Sequence, residues 1–568
     1  MTTVACRSEP TLSESIRRKA STWFVGFGVL LLIVLGFVLR LPGLEDKPLH
    51  SDEGVNGWFT LRLYWWNYYI YRHSDYHGPF LYYWNLVWFW LMGGPSDAAL
   101  RMGTVVTGAL LPAALLPARR FLGDVGLLMS GLLLTVAPCF VYFSRTNIHE
   151  IHLVFFTVLW GSSLVRFARE PVMKWGLLSA ASAAFAFTNK ETALITLGAL
   201  GLGGGLAWLL GRVQDANSDD PDLFGGRNRR EALSEWVKEA PLIWVSGVVL
   251  FSVIIVLFFS SFFTFWGGVG GFFQAYGPWT EYGVSGRNQG KPFGYFFELM
   301  QLTEGWALYL TIPAMLWALV RRHRFGIALT GWYLSSFVVY SAISYKTPWC
   351  VLNIDLAGFL LVGWAAGQAW LAARNAAVPK AARVVALLLM LSPLSAIPGL
   401  VDNTLSDNKE GYDDNIIPYV YVQTQRGFFG LLQDALGVAK ARPDDDGLGL
   451  HTVSSWAKNP YRWYVITRGW DHERAKYLKK APKQKHVDAA DLILGTGKDL
   501  RATQKLMQSQ EQSWHLETYQ LRPGHKVHAW FRQELWDDYQ KVGGRESSLW
   551  PHASVKEIHE PTPPKAAR

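Results

Sequence analysis

Residues 23–39 of the chain read WFVGFGVLLLIVLGFVL, an unbroken run of apolar residues and glycines. Basic residues precede the run at 17–19, and Arg40 and Pro42 follow it. A secretory signal peptide would have a cleavage site with small residues after its apolar core, and no such site follows here. The run therefore predicts a retained membrane-spanning helix, with residues 1–21 as a cytoplasmic N-terminus.

Ten further apolar runs precede residue 400, and several approach the length of about 20 residues that crosses a bilayer as a helix. They are residues 100–118, 126–143, 152–167, 175–189, 193–211, 241–265, 305–320, 326–343, 351–372 and 382–400. The sequence then turns polar. This clustering predicts a polytopic α-helical membrane protein, with about eleven transmembrane helices in residues 22–400. It also predicts a C-terminal α/β domain at 401–560 and a frayed tail at 561–568.

The positive charges of the loops orient these spans. If odd-numbered spans run outward, the inner loops carry the basic residues at 119–120, 166–174, 212–230, 321–324 and 374–383. Basic loops favour the cytoplasmic side, so the α/β domain is expected to be extracytoplasmic. Residues 80–92 (FLYYWNLVWFWLM) would reverse this topology if they crossed the membrane. They are short and rich in Trp and Tyr, which predicts a surface helix within a first outer loop at 41–98.

Composition excludes several classes of protein. With 50% apolar and 17% charged residues, the chain is not disordered, collagen-like or a coiled coil. We attribute the net charge of +9 to basic residues at span ends and predict no nucleic-acid partner. The three cysteines, Cys6, Cys139 and Cys350, are too few for a disulfide scaffold, and no CxxC motif or Cys/His cluster indicates zinc.

The C-terminal domain has the mixed pattern of an α/β fold. Strand-like segments occur at 419–424, 448–453, 463–466 and 490–494. Residues 427–440 favour a helix, and residues 515–521 and 526–532 predict a hairpin around a Pro-Gly pair. GTGKD at 495–499 lacks the spacing of a phosphate-binding loop and predicts a turn after a buried strand.

An acidic pair, Asp52 and Glu53, lies in the first outer loop within LHSDEGVNGWF at 49–59. One interpretation is a solvated loop. The other is a partly dry crevice beneath aromatic residues, where the carboxylates serve as a catalytic base or as metal ligands. His50 lies beside them as a candidate substrate-binding residue. Adjacent side chains rarely point into one crevice, so we expect Asp52 to face the reaction centre and Glu53 to orient the loop.

A second cluster, SRTNIHEIH at 144–152, crowds charged groups into a short outer loop. Arg145 and Glu150 are either site residues or an ion pair that caps two helix ends. The spacing of HEIH places its histidines on different helix faces, so it is not the HExxH zinc signature. Lys190, in TNKETA at 188–193, is either a site cation or a lysine that extends to the membrane interface.

Three more cations, Arg287, Lys291 and Lys346, lie in the later outer loops. His77 begins an HGP segment that is either a helix break or part of an acceptor groove. Acidic and basic groups thus gather on one predicted face near the lipid headgroups. This suits a lipid-phosphate donor, because cations can neutralise a departing phosphate and a carboxylate can accept a hydroxyl proton. A transporter would place its charges near the midplane on broken helices.

Several motifs, in this order, resemble the GT-C superfamily of membrane glycosyltransferases. They are the Asp-Glu pair after the first span, HGP leading into YYW, ALR at the second span, SR before the acidic second outer loop, and Lys-Glu after the fifth span. The similarity is greatest to the protein O-mannosyltransferase and lipid A aminoarabinose transferase branch. SYKTPW at 344–349 and NPYRWY at 459–464 resemble the subgroup of flippase-activity-associated proteins of archaeal-type glycosylation pathways.

The resemblance implies a polyprenyl-phosphate sugar donor and catalysis on the outer face. It implies that Asp52 is the base or a metal ligand, with Glu53 beside it, and that Glu150 takes the second-loop acidic position where many relatives have Asp. Arg145 matches the arginine before that position, and Lys190 becomes a phosphate contact. A divalent metal, Mg²⁺ or Mn²⁺, at Asp52 and Glu150 stays open, since oligosaccharyltransferase relatives use one and the other branches need not.

The expected function is therefore transfer of a sugar from a polyprenyl-phosphate donor to an extracytoplasmic glycan, lipid or protein acceptor. The enzyme would reside in the inner or cell membrane, in contact with the lipid bilayer. The alternative is a non-catalytic accessory of lipid-linked sugar flipping or assembly that keeps the same scaffold. A transporter is a third hypothesis.

Overall fold

The computed structural model describes most of the chain. The described residues are 12–67, 69–73, 77–211, 241–285, 290–409, 413, 417, 419–440, 451–453, 458–467, 475–510 and 513–544. The predicted substrate-binding residue Arg287 and the predicted tail at 561–568 lie outside these ranges. So do residues 1–11 of the predicted cytoplasmic N-terminus and residues 212–240 of a predicted inner loop.

Ten helices occupy most of the described N-terminal region. They are α1 (Leu12–Arg40), α2 (Ser51–Trp66), α3 (Phe80–Leu91), α4 (Asp97–Ala109), α5 (Leu111–Ala114), α6 (Arg119–Val136), α7 (Pro138–Ser144), α8 (Glu150–Arg169), α9 (Met173–Asn189) and α10 (Ala193–Leu210). The axes of α6 and α7 differ by 59°. The bend lies at Ala137, which is extended because the ring of Pro138 disfavours a helical residue before it.

Ten more helices follow in the described residues between 241 and 409. They are α11 (Pro241–Phe259), α12 (Gly267–Gln274), α13 (Tyr276–Ser285), α14 (Tyr295–Thr303), α15 (Trp306–Tyr309), α16 (Thr311–Arg321), α17 (Arg324–Ala342), α18 (Val351–Arg374), α19 (Lys380–Leu391) and α20 (Ile397–Lys409). α18 is buried along nearly its whole length and forms the centre of the bundle. α11 and the described side chains of α1 from Ala20 onward are instead mostly at least partly exposed, as in helices in contact with lipid.

Seven of the described helices are long and apolar enough to cross a membrane, or eight if the bent pair α6–α7 forms one span. Each of the eleven predicted spans coincides with helical structure. Three of them, 100–118, 175–189 and 305–320, fall on helices that are broken or shorter than 18 residues. The predicted surface helix at 80–92 is α3, whose 12 residues extend about 18 Å, well short of a hydrocarbon core of roughly 30 Å. The protein is a multi-pass membrane protein.

The C-terminal domain contains a mixed five-stranded sheet in the order β2-β1-β3-β5-β4. Its strands are β1 (His451–Val453), β2 (Ala475–Tyr477), β3 (Leu492–Thr496), β4 (Trp514–Arg522) and β5 (His525–Arg532). Its helices are α21 (Gly427–Lys440), α22 (Lys458–Thr467), α23 (Gln484–Val487), α24 (Leu500–Gln508) and α25 (Gln533–Lys541). β1 pairs in parallel with β2 and β3, whereas β5 pairs antiparallel with β3 and β4. The predicted hairpin, the helix at 427–440 and the turn after a buried strand at 495–499 are confirmed.

Two predicted strands of this domain are wrong. Residues 463–466 belong to α22, because their apolar side chains are all buried and such a short run suits a buried helix as well as a strand. Residues 419–424 form no strand. The carbonyl of Tyr421 instead accepts from His50 Nε2 at 2.9 Å, and the Gln423 amide donates to the carbonyl of Pro48 at 2.8 Å. Polar groups of this segment thus bond to the first outer loop rather than to a strand.

The C-terminal domain packs closely onto the first outer loop through α22 and α2. A Cβ atom on Gly54 would lie 2.4 Å from the carbonyl oxygen of Asn459. Trp463 Nε1 and the Tyr464 hydroxyl donate to the two carboxylate oxygens of Asp97, at 2.7 and 2.9 Å. Apolar residues of both regions form one continuous core, so the domain is fixed against α2 and α4.

We expect Gly54→Ala to loosen this packing, because the added methyl group meets backbone atoms that cannot rotate away. Overpacking of this kind costs roughly 1–3 kcal/mol. Limited proteolysis of the purified protein should therefore cleave the C-terminal domain faster. Gly198→Ala is the control, since a Cβ there meets no atom within 4 Å. Equal cleavage rates in the two variants would contradict the close approach of α22 to α2.

Candidate functional site

The acidic pair opens helix α2 through a capping box. His50, the N-cap residue, accepts the Asp52 amide with Nδ1 at 3.0 Å, while Glu53 accepts the His50 amide with Oε2 at 2.9 Å. Carboxylates in a first turn also interact favourably with the helix dipole. Successive residues of a helix point about 100° apart, so the two carboxylates face different surroundings.

Glu53 is fully buried in a bidentate ion pair with Arg101. Both its oxygens lie 2.8 Å from guanidinium nitrogens, and Oε1 also accepts the amide of Asn147 at 2.8 Å. Burial would raise the pKa of Glu53, but Arg101 and these hydrogen bonds outweigh it and hold the pKa at about 2. Such a carboxylate is a poor base. Its contacts join α2, α4 and the loop at 145–149, which favours the loop-orienting role.

Asp52 is the carboxylate that stays accessible. Its side chain is 36% exposed, against 0% for Glu53. His50 Nδ1 lies 3.9 Å from its carboxylate. Burial lowers the pKa of His50 more than the charge of Asp52 raises it, so the ring is neutral at neutral pH. Asp52 is therefore the acidic residue of the pair whose side chain a substrate can reach.

A second ion pair connects Glu150 to Lys190. Lys190 Nζ lies 2.5 Å from Glu150 Oε2, and both side chains are buried. The Cys350 thiol approaches the other oxygen, Oε1, at 3.7 Å. Burial lowers the pKa of Lys190, but Glu150 outweighs that effect and raises it. The structure thus brings together the second outer loop and the segment between α9 and α10.

His77 joins the same neighbourhood through a carboxylate contact. Its Nδ1 lies 2.7 Å from Glu191 Oε2, and its ring centroid is 5.1 Å from that of His149. Asn189 Nδ2 donates to the His149 carbonyl at 2.8 Å. HGP precedes the start of α3 and lies beside the Glu150–Lys190 ion pair, and its part in an acceptor groove stays a prediction. Burial is the main cause that lowers the pKa of His149 well below its usual range.

Arg145 directs its guanidinium toward the backbone. It donates to the carbonyls of Arg40 at 2.8 Å, of Pro42, and of Gly43 at 3.1 Å. Glu150 pairs with Lys190, so the alternative of an Arg145–Glu150 ion pair is not what the structure contains. The contacts favour a role in holding the start of the first outer loop, and phosphate binding by Arg145 stays a prediction.

Arg145→Lys should therefore lower stability without changing donor affinity. The ammonium group of lysine cannot reproduce the several hydrogen bonds that the planar guanidinium donates in fixed directions. Loss of a hydrogen bond from a charged donor costs roughly 1.5–3 kcal/mol. Thermal unfolding and binding of a polyprenyl phosphate measure the two effects separately. A selective loss of donor affinity, with unfolding unchanged, would restore the phosphate-binding role.

The two lysines of the later loops contact each other, and Lys291 lies against aromatic rings. Lys346 Nζ donates to the Lys291 carbonyl at 3.0 Å. Lys291 Nζ lies 4.1 Å from the ring centroid of Tyr295 and 4.8 Å from that of Tyr421. Burial, with a smaller contribution from Lys346, lowers the pKa of Lys291 to about 8. Because the Tyr421 carbonyl also accepts from His50, these lysines belong to the Asp52 side of the molecule.

The C-terminal domain supplies one residue that the sequence analysis missed. Arg522, the last residue of β4, is buried, and burial lowers its pKa while Asp52 and Tyr421 oppose that shift. Tyr345 is in the same electrostatic neighbourhood. Burial raises its pKa to about 12, and the charges of Tyr421 and Asp52 add to the effect. No local pattern connects Arg522 to Asp52, since 470 residues separate them and only tertiary packing places them together.

A divalent metal at Asp52 and Glu150 does not fit these contacts. One oxygen of Glu150 is bound by a lysine ammonium, which repels a metal cation. Within the described ranges, no third carboxylate, histidine or cysteine completes a ligand group with Asp52 and Glu150. We therefore assign no step of the reaction to a metal at these two residues.

Comparison with known proteins extends these findings. Residues 77–212 match the family model of dolichyl-phosphate-mannose-protein mannosyltransferase. No curated protein matches the sequence significantly.

Solved structures match over most of the chain. ArnT from Cupriavidus metallidurans bound to undecaprenyl phosphate is 15% identical with a TM-score of 0.55, over 89% of this chain and 98% of that one. The Archaeoglobus fulgidus oligosaccharyltransferase tethered with an acceptor peptide is 12% identical with a TM-score of 0.53, over 84% and 69%. At such identities the likeness concerns the fold, and the flippase-associated subgroup stays a prediction. The chain therefore has a segment similar to that mannosyltransferase family and a fold similar to those of ArnT and the archaeal oligosaccharyltransferase.

Proposed function

We propose that this protein transfers a sugar from a polyprenyl-phosphate carrier to an acceptor on the outer side of the membrane. The observation that carries the proposal is the accessible carboxylate of Asp52, on the side of the molecule that also holds Lys291 and Lys346. Arg522 lies within electrostatic range of Asp52. These groups come from the first outer loop, the last outer loops and the C-terminal domain. The lipid phosphate bound by the ArnT structure and the acceptor peptide of the oligosaccharyltransferase support the same substrate classes.

The reaction follows from the charges. Asp52 accepts the proton of an acceptor hydroxyl, and the hydroxyl oxygen then bonds to the anomeric carbon of the donor sugar. The bond between that carbon and the phosphate oxygen breaks, and the polyprenyl phosphate leaves with its negative charge. Lys291, Lys346 and Arg522 stabilise this charge, whereas Lys190 is already neutralised by Glu150.

The direct test is turnover in proteoliposomes. Purified protein is given polyprenyl-phosphate-linked sugars with a radiolabel, together with glycan, lipid and peptide acceptors. We expect labelled product and equimolar polyprenyl phosphate. Donor binding without release of polyprenyl phosphate would favour the alternative of a non-catalytic accessory of lipid-linked sugar flipping or assembly. Movement of an intact solute across the vesicle membrane, without transfer, would indicate the transporter.

Orientation is part of the proposal, with the N-terminus in the cytoplasm and the C-terminal domain outside. The basic residues of every predicted inner loop support it. A topology reporter fused after residue 405 should then report an extracytoplasmic position, and one fused near residue 120 a cytoplasmic one. A cytoplasmic reporter at 405 would mean that residues 80–92 cross the membrane, and the proposed outer-face site would fail.

A further inference from the structure

Three potential metal ligands meet inside the helical bundle, on elements distinct from those that carry Asp52. Cys139 lies in α7, Glu304 directly follows α14, and Asp355 lies in α18. One ligand atom of each, the cysteine sulfur and two carboxylate oxygens, falls within 4.8 Å of the others. Their exposed fractions are 0%, 2% and 4%. More than 200 residues separate the first from the last, so the group is a product of tertiary structure.

The polar atoms of this group lack the partners that buried charges need. Neither oxygen of Glu304 has a partner at full hydrogen-bond geometry within the described chain, and only Cys139 and Thr303 act on it more weakly as donors. The Cys139 thiol approaches Asp355 Oδ2 at 3.6 Å, a contact inside the group itself. Buried carboxylates in native proteins are paired, hydrogen-bonded or bound to a metal, because an unpartnered charge is costly to desolvate. The free oxygens of Glu304 therefore point to a missing ligand.

The neighbouring charged residues Arg40 and Asp407 do not supply the missing partner of Glu304. The Arg40 guanidinium acts electrostatically on Cys139 but donates to the carbonyls of Gly36 and Thr135, at 3.2 and 3.0 Å. Asp407, the other charged group that acts on Glu304, is itself an acid and accepts a hydrogen bond from Tyr419. The group thus brings two carboxylates and a thiol together with no cation bonded to them among the described residues.

We propose that Cys139, Glu304 and Asp355 bind one zinc ion. Zinc accepts thiolate and carboxylate ligands in tetrahedral geometry, commonly with water in a fourth position, whereas Mg²⁺ and Ca²⁺ prefer oxygen alone. Bond lengths of about 2.0–2.3 Å place tetrahedral ligand atoms about 3.4 Å apart. Side chains already within 4.8 Å of one another reach that spacing by small rotations. Binding releases the thiol proton, since the thiolate is the ligand.

This zinc ion holds helices together rather than reacting with substrate. α7 follows the bend at Ala137 and leads directly to Arg145, and α18 is the buried centre of the bundle. Asp355 lies four residues after the start of α18, and Cys139 lies six residues before Arg145. Each is therefore about 6–9 Å along its helix from the helix end that is nearer to Arg145 and Glu150. The ion would fix the short second half of the bent pair, and with it the loop that carries Glu150.

The test begins with the intact protein. Full-length protein purified in detergent and washed with a weak chelator should retain about one zinc ion per chain by elemental mass spectrometry. Exchange with Co²⁺ should produce the visible bands of a tetrahedral ion and the near-ultraviolet band of a cobalt–thiolate bond. If the folded protein takes up neither metal, protons alone occupy the group and the proposal is wrong.

Single substitutions then locate the ion. Cys139→Ala and Asp355→Asn should each lose the zinc and the cobalt–thiolate band, whereas Cys350→Ala and Cys6→Ala, matched controls, should keep both. Zinc retained at the wild-type level by Cys139→Ala would mean an ion held elsewhere and would overturn the assignment. Should a variant not fold, X-ray absorption of the wild-type zinc protein decides the matter. One sulfur at about 2.3 Å with oxygen ligands supports the site, and a shell without sulfur refutes it.

Discussion

Asp52→Asn should lower turnover by about 10²–10⁴-fold, the usual contribution of a general base, while folding and donor binding stay nearly unchanged. The amide keeps the shape of the side chain but cannot accept the hydroxyl proton. Asp52 makes no buried ion pair whose loss would destabilise the protein, and its side chain is 36% exposed. The measurement is turnover at saturating donor, with equal amounts of protein in the membrane.

The matched control is Asp402→Asn, which removes an exposed carboxylate from α20. We expect it to turn over at the wild-type rate. Normal turnover by Asp52→Asn, with Glu53→Gln inactive but folded, would reverse the roles of the two acidic residues. Normal turnover by both would exclude a carboxylate mechanism at this loop and favour the non-catalytic accessory.

Glu53→Gln should destabilise the fold by about 3–5 kcal/mol. The substitution leaves the guanidinium of Arg101 charged, fully buried and without its counter-ion. The sequence alone suggests a smaller cost, roughly 1.5–3 kcal/mol, that of one charge-assisted hydrogen bond on an exposed loop. Burial of both partners is the reason for the larger value. Thermal unfolding in detergent measures it, and Asp52→Asn is the control that should unfold like the wild type.

The same ion pair predicts a loss of stability in acid. The pKa of Glu53 is about 2 in the folded protein, against 4.5 for the unperturbed group. A depressed pKa stabilises the fold fully above the unfolded value, and the contribution disappears as pH falls from about 4.5 to about 2. A shift of this size is worth about 3 kcal/mol. Glu53→Gln should remove this part of the pH dependence. An identical acid profile in the variant would contradict the ion pair.

The local sequence pattern was sufficient to predict most of the helices. The thickness of a bilayer sets the length of an apolar run, so the run at 23–39 predicts a spanning helix wherever the rest of the chain lies. The same holds for the hairpin of β4 and β5, because a Pro-Gly pair between two strand-like segments specifies a turn on its own. The Asp-Glu pair, HGP and Lys-Glu motifs likewise indicated which loops carry chemistry. Each of these inferences depends on residues that are neighbours in the chain.

Tertiary structure alone decided what those residues do. Asp52 and Glu53 are adjacent in sequence. Glu53 is buried in an ion pair with Arg101, 48 residues away, whereas Asp52 stays accessible. WYVI at 463–466 has the composition of a strand but is helical, because α22 buries it against α2. Arg522 comes within electrostatic range of Asp52, and Cys139 meets Glu304 and Asp355, only through packing of distant segments. Burial and ion pairing are properties of contacts across the fold, and they decide which site residues are paired and which stay accessible.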